Sequence, residues 1–303
     1  MKTLIRVGTR GSPLALAQTT EVVESLRTQA PRIKFSVVRI QTSGDTMDSG
    51  AAVESKSMFS KEIEEGLLNG EIDIAVHSMK DLTTELPDGL IFGAVPQRAN
   101  AHDALISRQN KKFEQLPAGA RIGTSSPRRK AQLLAARGDF EIVDIRGNVD
   151  TRLRKLEKGD YDGIVLAAAG LNRLGLEERA TEILPTKLML PAVGQGALAV
   201  QSRQEDVEVN QLLKGIDHDV SRRAVEAERA FARRLGADCR TPIAAYARLD
   251  GGKLTIEGMV AAQTGRMLVR SRLVSDIGDS EKIGVELAET LLSRGAAAVL
   301  EAA

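Results

Sequence analysis

Two short strings, "GTRGSP" from Gly8 and "GTSSPR" from Gly123, give the same folding instruction in different parts of the chain. In each, an apolar run ends in Gly-Thr and a Ser-Pro pair follows. A serine there can accept from the first unpaired N–H groups of a helix, and a proline behind it has its φ preset and no N–H to leave unsatisfied. "LIRVGTR" therefore reads as a strand feeding the helix "LALAQTTEVVESLRTQ" from Leu14, with Ser12 as cap and Pro13 at the first helical position. "RIGTSSPRRKAQLLAARGD" from Arg121 repeats this with Ser126 and Pro127. A strand running straight into a helix, twice, is the grammar of α/β layers.

The segments "FSVVRIQT", "EIDIAVHS", "LIFGAVPQ", "EIVDIRGN" and "YDGIVLAAAG" read as further strands, mostly continuous in apolar character, between polar segments of helical period. Such runs fit sheets covered on both faces. After about residue 218 the pattern changes. "SRRAVEAERAFARRLG" places Ala224, Ala227, Phe231 and Leu235 on one helical face and stops at Gly236. "IAAYARL", the turn "DGGK", "LTIEGMVAA" and "RMLVRSRLVS" then read as an antiparallel meander, followed by a helix over about 280–293. No Pro- or Ser-rich linker separates these parts, and no solenoid repeat is present.

Composition narrows the function classes. Hydrophobic residues at 42% of 303 are enough to give two or three domains a core. With 42 basic residues against 41 acidic and 3% aromatics, a nucleic-acid surface with stacking platforms is poorly supported. His77, His102 and His218 are scattered, and one cysteine cannot complete a metal ligand set. The apolar stretch "GIVLAAAGL" falls well short of the roughly 20 residues of a membrane span. Arg6 interrupts the N-terminal apolar run, and a lone Cys forms no internal disulfide, so a cytosolic chain is expected.

Arginine gathers at the strand-to-helix junctions, where unpaired N–H groups already favour anions. Arg10 stands beside Ser12, Arg128 and Arg129 follow Ser126, and "DIRGNVDTRLRK" puts Arg146 at a strand end with Arg152 one turn into the next helix. Guanidinium groups pair bidentately with carboxylate or phosphate, so the set could hold a polyanion; each could instead be solvated or paired with a nearby glutamate. In "DIAVHSMKDL" an apolar strand runs into Lys80 and Asp81. Asp81 there can stabilise a developing cation or pass a proton, or it can start a helix or pair with Lys80. His77 reads as a satisfied structural histidine before it reads as a base. Cys239, in "ADCRTP", has Arg240 favouring and Asp238 opposing a thiolate, and a buried inert thiol is the plainer alternative.

At these residues the chain resembles the porphobilinogen deaminase (hydroxymethylbilane synthase) family. The strings "TRGSPLALAQ", "DIAVHSMKDL", "GTSSPRR", "RGNVDTRL", "LAAAGLNRLG", "LPAVGQGAL" and the Cys239 loop occur in family order over the whole chain. The resemblance implies two α/β lobes like those of periplasmic binding proteins, with mixed, mainly parallel sheets, and a smaller C-terminal α+β domain with a three-stranded antiparallel sheet. Their expected bounds are 1–98 with 194–217, 99–193, and 218–303. It implies a dipyrromethane cofactor joined to Cys239 by a thioether and built from the enzyme's own substrate, porphobilinogen. Loss of ammonia from an aminomethylpyrrole leaves an electrophilic carbon that a soft sulfur can trap. Four further units would be added head to tail, and linear hydroxymethylbilane would be released by hydrolysis. Asp81 would be catalytic. Lys80, Asp81, Ser126, Arg128, Arg129 and Arg146 would hold the cofactor; Arg10, Ser12, Arg146, Arg152 and Arg173 would bind substrate carboxylates. Lys56 and Phe59 would belong to a lid loop. The resemblance also implies a cytoplasmic monomer that uses no metal, membrane or nucleic acid.

The chain departs from the family pattern in places. "ESKSMF" stands where the family has "GGKGLF", "ADCRTP" where it has "GGCQVP", and "RANAHDA" where it has "REDPRDA", with His102 replacing an arginine. A catalytically impaired relative, or a two-lobed protein that only captures a small anion, is therefore the alternative. The second of these gives Asp81 and Cys239 no role.

Overall fold

Both Ser-Pro pairs open helices as their chemistry requires. In the computed structural model, which describes residues 2–43, 60–236 and 241–301, Ser12 Oγ accepts from Ala15 N at 3.2 Å and Ser126 Oγ from Arg129 N at 3.4 Å. The chain begins β1 (Leu4–Thr9), α1 (Pro13–Gln29), β2 (Lys34–Arg39), α2 (Lys61–Leu68), β3 (Ile74–Ser78) and β4 (Leu90–Ala94). It continues through β5 (Asp103–Ser107), β6 (Arg121–Gly123), α3 (Pro127–Ala136), β7 (Glu141–Val143), α4 (Val149–Lys158), β8 (Gly163–Ala167), α5 (Ala168–Arg173) and β9 (Glu182–Ile183). The remainder holds β10 (Leu198–Arg203), α6 (Val207–Leu213), α7 (Asp219–Arg234), β11 (Ile243–Asp250), β12 (Lys253–Ala261), β13 (Leu268–Asp276), α8 (Ser280–Leu291) and α9 (Ala297–Glu301).

These elements form two compact units, Met1–Ala99 with Ala197–Arg223, and Asn100–Gly196 with Ala224–Ala303. The first holds a five-stranded sheet in the order β2-β1-β3-β10-β4. Its strand β3 shows why the sequence reads as continuously apolar. Ile74 and Val76 pack with Val22 and Leu26 of α1, while Ala75 between them packs on the opposite face with Ile63 and Leu67 of α2. The sheet is mixed: β1 pairs in parallel with β2 and β3, and β10 alone runs against its neighbours β3 and β4.

The second unit repeats this plan in the order β7-β6-β8-β5-β9, where β5 is the reversed strand. It also contains the three-stranded antiparallel sheet β11-β12-β13. Gly251 and Gly252, at φ 55° and 78°, make the two-residue turn between β11 and β12 that a right-handed twist favours. Phe231 and Ala227 of α7 and Ile283 and Leu287 of α8 bury that sheet's Leu254, Ile256 and Val260. The two helices meet closely at Gly284, where a Cβ would stand 2.1 Å from the Ala227 carbonyl oxygen. The helix expected over 280–293 is α-helical only to Leu291, after which Gly295 at φ 95° breaks the pattern within a π turn.

Glu228 joins α7 to two other segments. Its carboxylate, fully buried, accepts from Gly194 N at 2.7 Å and Ala247 N at 2.8 Å. Glu228→Ala strands both N–H groups without acceptors, at about 1–3 kcal/mol each. Urea titration is expected to show a lower midpoint with an unchanged slope; an unmoved midpoint would remove this carboxylate from the fold's support.

Candidate functional site

In the first unit, the ends of β1 and β3 converge. Beyond β1 the chain passes through Arg10 and Gly11 to the Ser12 cap of α1. Beyond β3 it enters a 3-10 turn, Met79–Asp81, held by Met79 N donating to Ala197 O at 3.0 Å. Gln18 of α1 ties the two ends together, its Nε2 donating to Ser78 Oγ at 2.7 Å. Arg10, Ser12, Gln18, Ser60, His77, Ser78 and Asp81 line one pocket of about 60 Å³. Asp81 closes the 3-10 turn, and the next regular element among the described residues is a strand, so it has no helix to start. Lys80, half-buried, lies beside it and is not among the lining residues.

His77 is buried in the wall of this pocket. Burial pushes its pKa down to about 4; the Gln201 hydrogen bond opposes this and the Arg10 charge adds to it. The ring is therefore neutral at physiological pH.

In the second unit the helix start at Ser126 puts Arg128 and Arg129 in the first turn of α3, and both are buried. Arg128 Nη1 donates to Asp103 Oδ2 and to Leu190 O, each at 2.7 Å. Arg129 donates through Nε and Nη2 to Asp103 Oδ1 at 2.9 and 2.6 Å, and through Nη1 to Val165 O at 2.9 Å. Gln195 Nε2 adds a fourth donor to the same carboxylate at 3.1 Å. Burial alone would raise the Asp103 pKa, but the two guanidiniums outweigh it and hold the carboxyl well below the usual carboxylate range.

Arg152, on α4, stands within the field of Arg129 and donates Nε to Gly147 O at 2.8 Å. Burial first, and then the charge of Arg129, push its pKa down to about 10. Three guanidiniums thus share one neighbourhood whose central carboxylate is already spent on two of them. Arg146 lies in the loop before α4, which Asn148 caps by accepting from Thr151 N at 2.9 Å. That loop is fixed by Ser125 Oγ, which exchanges hydrogen bonds with Ile145, and by Tyr161 Oη, which donates to Asp144 O at 2.9 Å. Arg173 ends α5, its Nη2 donating to Gly196 O at 3.2 Å.

Arg10, Ser12 and Asp81 are therefore brought to one pocket, and Arg128, Arg129 and Arg152 to one basic cluster. Arg146 and Arg173 occupy separate loop and helix-end positions. Cys239, Lys56 and Phe59 fall outside the described residues. The sequence reading missed Asp103, Gln18 and Gln195. Asp103 had a legible signal: an acidic residue heading the apolar strand "DALIS" must be paired if that strand is buried.

Because the two arginines and Asp103 are buried together, removing one partner is expected to cost about 3–5 kcal/mol. Asp103→Asn should lower the urea midpoint accordingly, and a midpoint within error of wild type would contradict the assigned pairing. The folded pKa is depressed, so this stabilisation is present above the ordinary carboxylate pKa and is lost only as pH falls through the lower folded value.

The chain was compared with known proteins. The family model described as "Porphobilinogen deaminase, dipyromethane cofactor binding domain" matches residues 5–211, and that of the "Porphobilinogen deaminase, C-terminal domain" matches 222–293. The porphobilinogen deaminase of Pelotomaculum thermopropionicum is 49% identical over 305 residues, covering 100% of this chain and 98% of that protein. That of Syntrophus aciditrophicus is 48% identical over 299 residues, covering 98% of each. Among solved structures, a probable amino-acid transporter extracellular-binding protein of Bacillus subtilis aligns at TM-score 0.44 and 15% identity, over 71% of this chain and 90% of that one. The chain belongs to the porphobilinogen deaminase family, the hydroxymethylbilane synthases of tetrapyrrole biosynthesis, whose dipyrromethane-binding domain it contains.

Proposed function

We propose that this chain carries dipyrromethane on Cys239, deaminates porphobilinogen at Asp81, and joins four units head to tail before releasing hydroxymethylbilane. The observation that carries this reading is the convergence of Asp81, Arg10 and Ser12 on one pocket at two strand ends. That is where an open α/β sheet presents groups to a ligand.

The residues of the second unit fit an anionic primer. Each pyrrole of a dipyrromethane bears an acetate and a propionate, and the cluster of Arg128, Arg129 and Arg152 has more positive charge than Asp103 can neutralise. A carboxylate beside Arg152 would offset both the burial and the neighbouring charge that depress its pKa. Ser126 and Arg146 in the second unit, and Lys80 and Asp81 in the first, are the other residues assigned to the cofactor. When bound, the group supplies a nucleophilic pyrrole carbon for chain extension.

Asp81 acts on the incoming unit. Its carboxylate stabilises the positive charge that develops on a pyrrole nitrogen as ammonia leaves, and it is the proton carrier at that position. Arg10 and Ser12 hold a carboxylate of the same unit, and Arg173 holds one of the growing product. The assigned division has lobes formed by 1–98 with 194–217 and by 99–193, and a third part from 218 onward whose sequence includes Cys239. The reading as a cytoplasmic monomer that uses no metal rests on the family resemblance.

Two measurements test this. The intact mass of the purified protein should exceed the sequence mass by two linked pyrrole units, and Cys239→Ser should lack the excess. A wild-type mass that stays unmodified after addition of porphobilinogen would overturn the assignment. Asp81→Asn should keep the attached group and lose about 10²–10³ in kcat, the usual size of a lost electrostatic stabiliser; near-normal turnover would remove Asp81 from the reaction.

Arg152→Leu should leave the Asp103 network intact and slow elongation. Bound intermediates of one to three added units, separable by mass, would then build up, whereas a wild-type distribution of intermediates would exclude Arg152 as a carboxylate clamp.

A further inference from the structure

The wall of the Asp81 pocket contains a chain of buried side chains that the reading above does not use. Ser60, which lines the pocket, donates Oγ to Glu64 Oε2 at 3.2 Å. Glu64, buried on α2, accepts at its other oxygen from Gln201 Nε2 at 3.0 Å. Gln201 is fully buried on β10, opposite Ala75 of β3, so its side chain shares a face with that of His77 two residues along. The chain therefore runs from one pocket-lining residue to another, Ser60 to Glu64 to Gln201 to His77.

Its direction is fixed by chemistry. With its amide nitrogen committed to Glu64, Gln201 turns its oxygen to the histidine, and an amide oxygen can only accept. Gln201 Oε1 and His77 Nε2 are both buried and neither has a partner at normal hydrogen-bond distance, so the interaction between these two side chains is the one that would satisfy both. In that pairing the imidazole is the donor, so Nε2 carries the hydrogen and Nδ1 is left as an unprotonated acceptor on a residue that lines the pocket.

We infer that His77 Nδ1 accepts a hydrogen bond from the ammonium of the substrate's aminomethyl group, and that Gln201 and Glu64 are positioning residues that hold the ring in the required tautomer. The inference rests on the reading of this pocket as the porphobilinogen site. An ammonium must keep its three protons so that the C–N electron pair can leave with nitrogen as neutral ammonia. A second carboxylate beside Asp81 would compete for one of those protons, and an imidazolium would repel the cation. A neutral imidazole does neither, and the burial that makes His77 a poor base is the property the site needs.

The test is 15N NMR of the imidazoles of the full-length protein, which has three histidines to assign. Free wild-type protein is expected to show His77 as the Nε2–H tautomer, and Gln201→Met, which frees the ring from its lock, a mixture of tautomers. Adding porphobilinogen to Asp81→Asn should shift the His77 Nδ1 resonance. In steady-state kinetics His77→Leu should lose about tenfold or more in kcat/KM, the worth of a hydrogen bond to a charged group, and His77→Gln, which retains an acceptor, should recover part of it.

An Nδ1–H tautomer in the free protein, a resonance that porphobilinogen leaves in place, or an unchanged kcat/KM in His77→Leu would each overturn the inference. If Asp81→Asn instead turns over at the wild-type rate, the Asp81 assignment fails by itself. The tautomer of the free protein and the His77→Leu kinetics still decide the role of His77.

Discussion

Asp103 is the point on which the second unit's architecture turns. A carboxylate that leaves water entirely is tolerable only when its partners are complete, and here two guanidiniums and an amide supply four hydrogen bonds. Those partners arrive from the start of α3 and from the segment before β10, and the same arginines also hold the carbonyls of Val165 and Leu190. One charge thereby fixes the relative positions of strand, helix and loop. It also fixes the two guanidiniums, so their positive potential is aimed before any anion arrives and costs little reorganisation when one does.

The first unit manages its chemistry with weaker bonds. Ser12, Gln18 and Ser78 hold the pocket by neutral contacts at a helix cap and a strand end. The buried Glu64 behind it is met by an amide and a hydroxyl. Division of labour follows. The carboxylate assigned to a developing cation lines a pocket with a single guanidinium, Arg10, in the first unit, and the three guanidiniums of Arg128, Arg129 and Arg152 belong to the second.

Much of this was legible in the sequence, where local rules and tertiary demands agree. Ser12 and Ser126 before proline gave both helix starts, Gly251 and Gly252 the hairpin, and Gly236 the end of α7, because caps and turns are decided within a few residues. The reversed strands β10 and β5 were not legible, since nothing in "ALAVQSR" or "DALIS" encodes the direction of a neighbour far away in sequence. Arg128 and Arg129 could be read as basic groups at a helix start. That both share a single buried aspartate depends on β5 lying beside β8, which is a property of the sheet. His77 read as structural, and the tautomer that gives it a further role is set by Gln201, a residue with no local signal at all.

The order of synthesis gives the strand arrangement a last consequence. β10 lies between β3 and β4 in the first sheet, yet it begins only at Leu198. Every strand of the second five-stranded sheet, β5 to β9, has left the ribosome by the time Leu198 itself emerges. The lobe that starts the chain is thus the later of the two to close its sheet, and until residue 203 emerges the facing edges of β3 and β4 have no strand between them. A nascent chain that has emerged only as far as "LPAVGQGAL" presents the strands of one sheet complete and the other open, and the open edges are where a chaperone has something to hold.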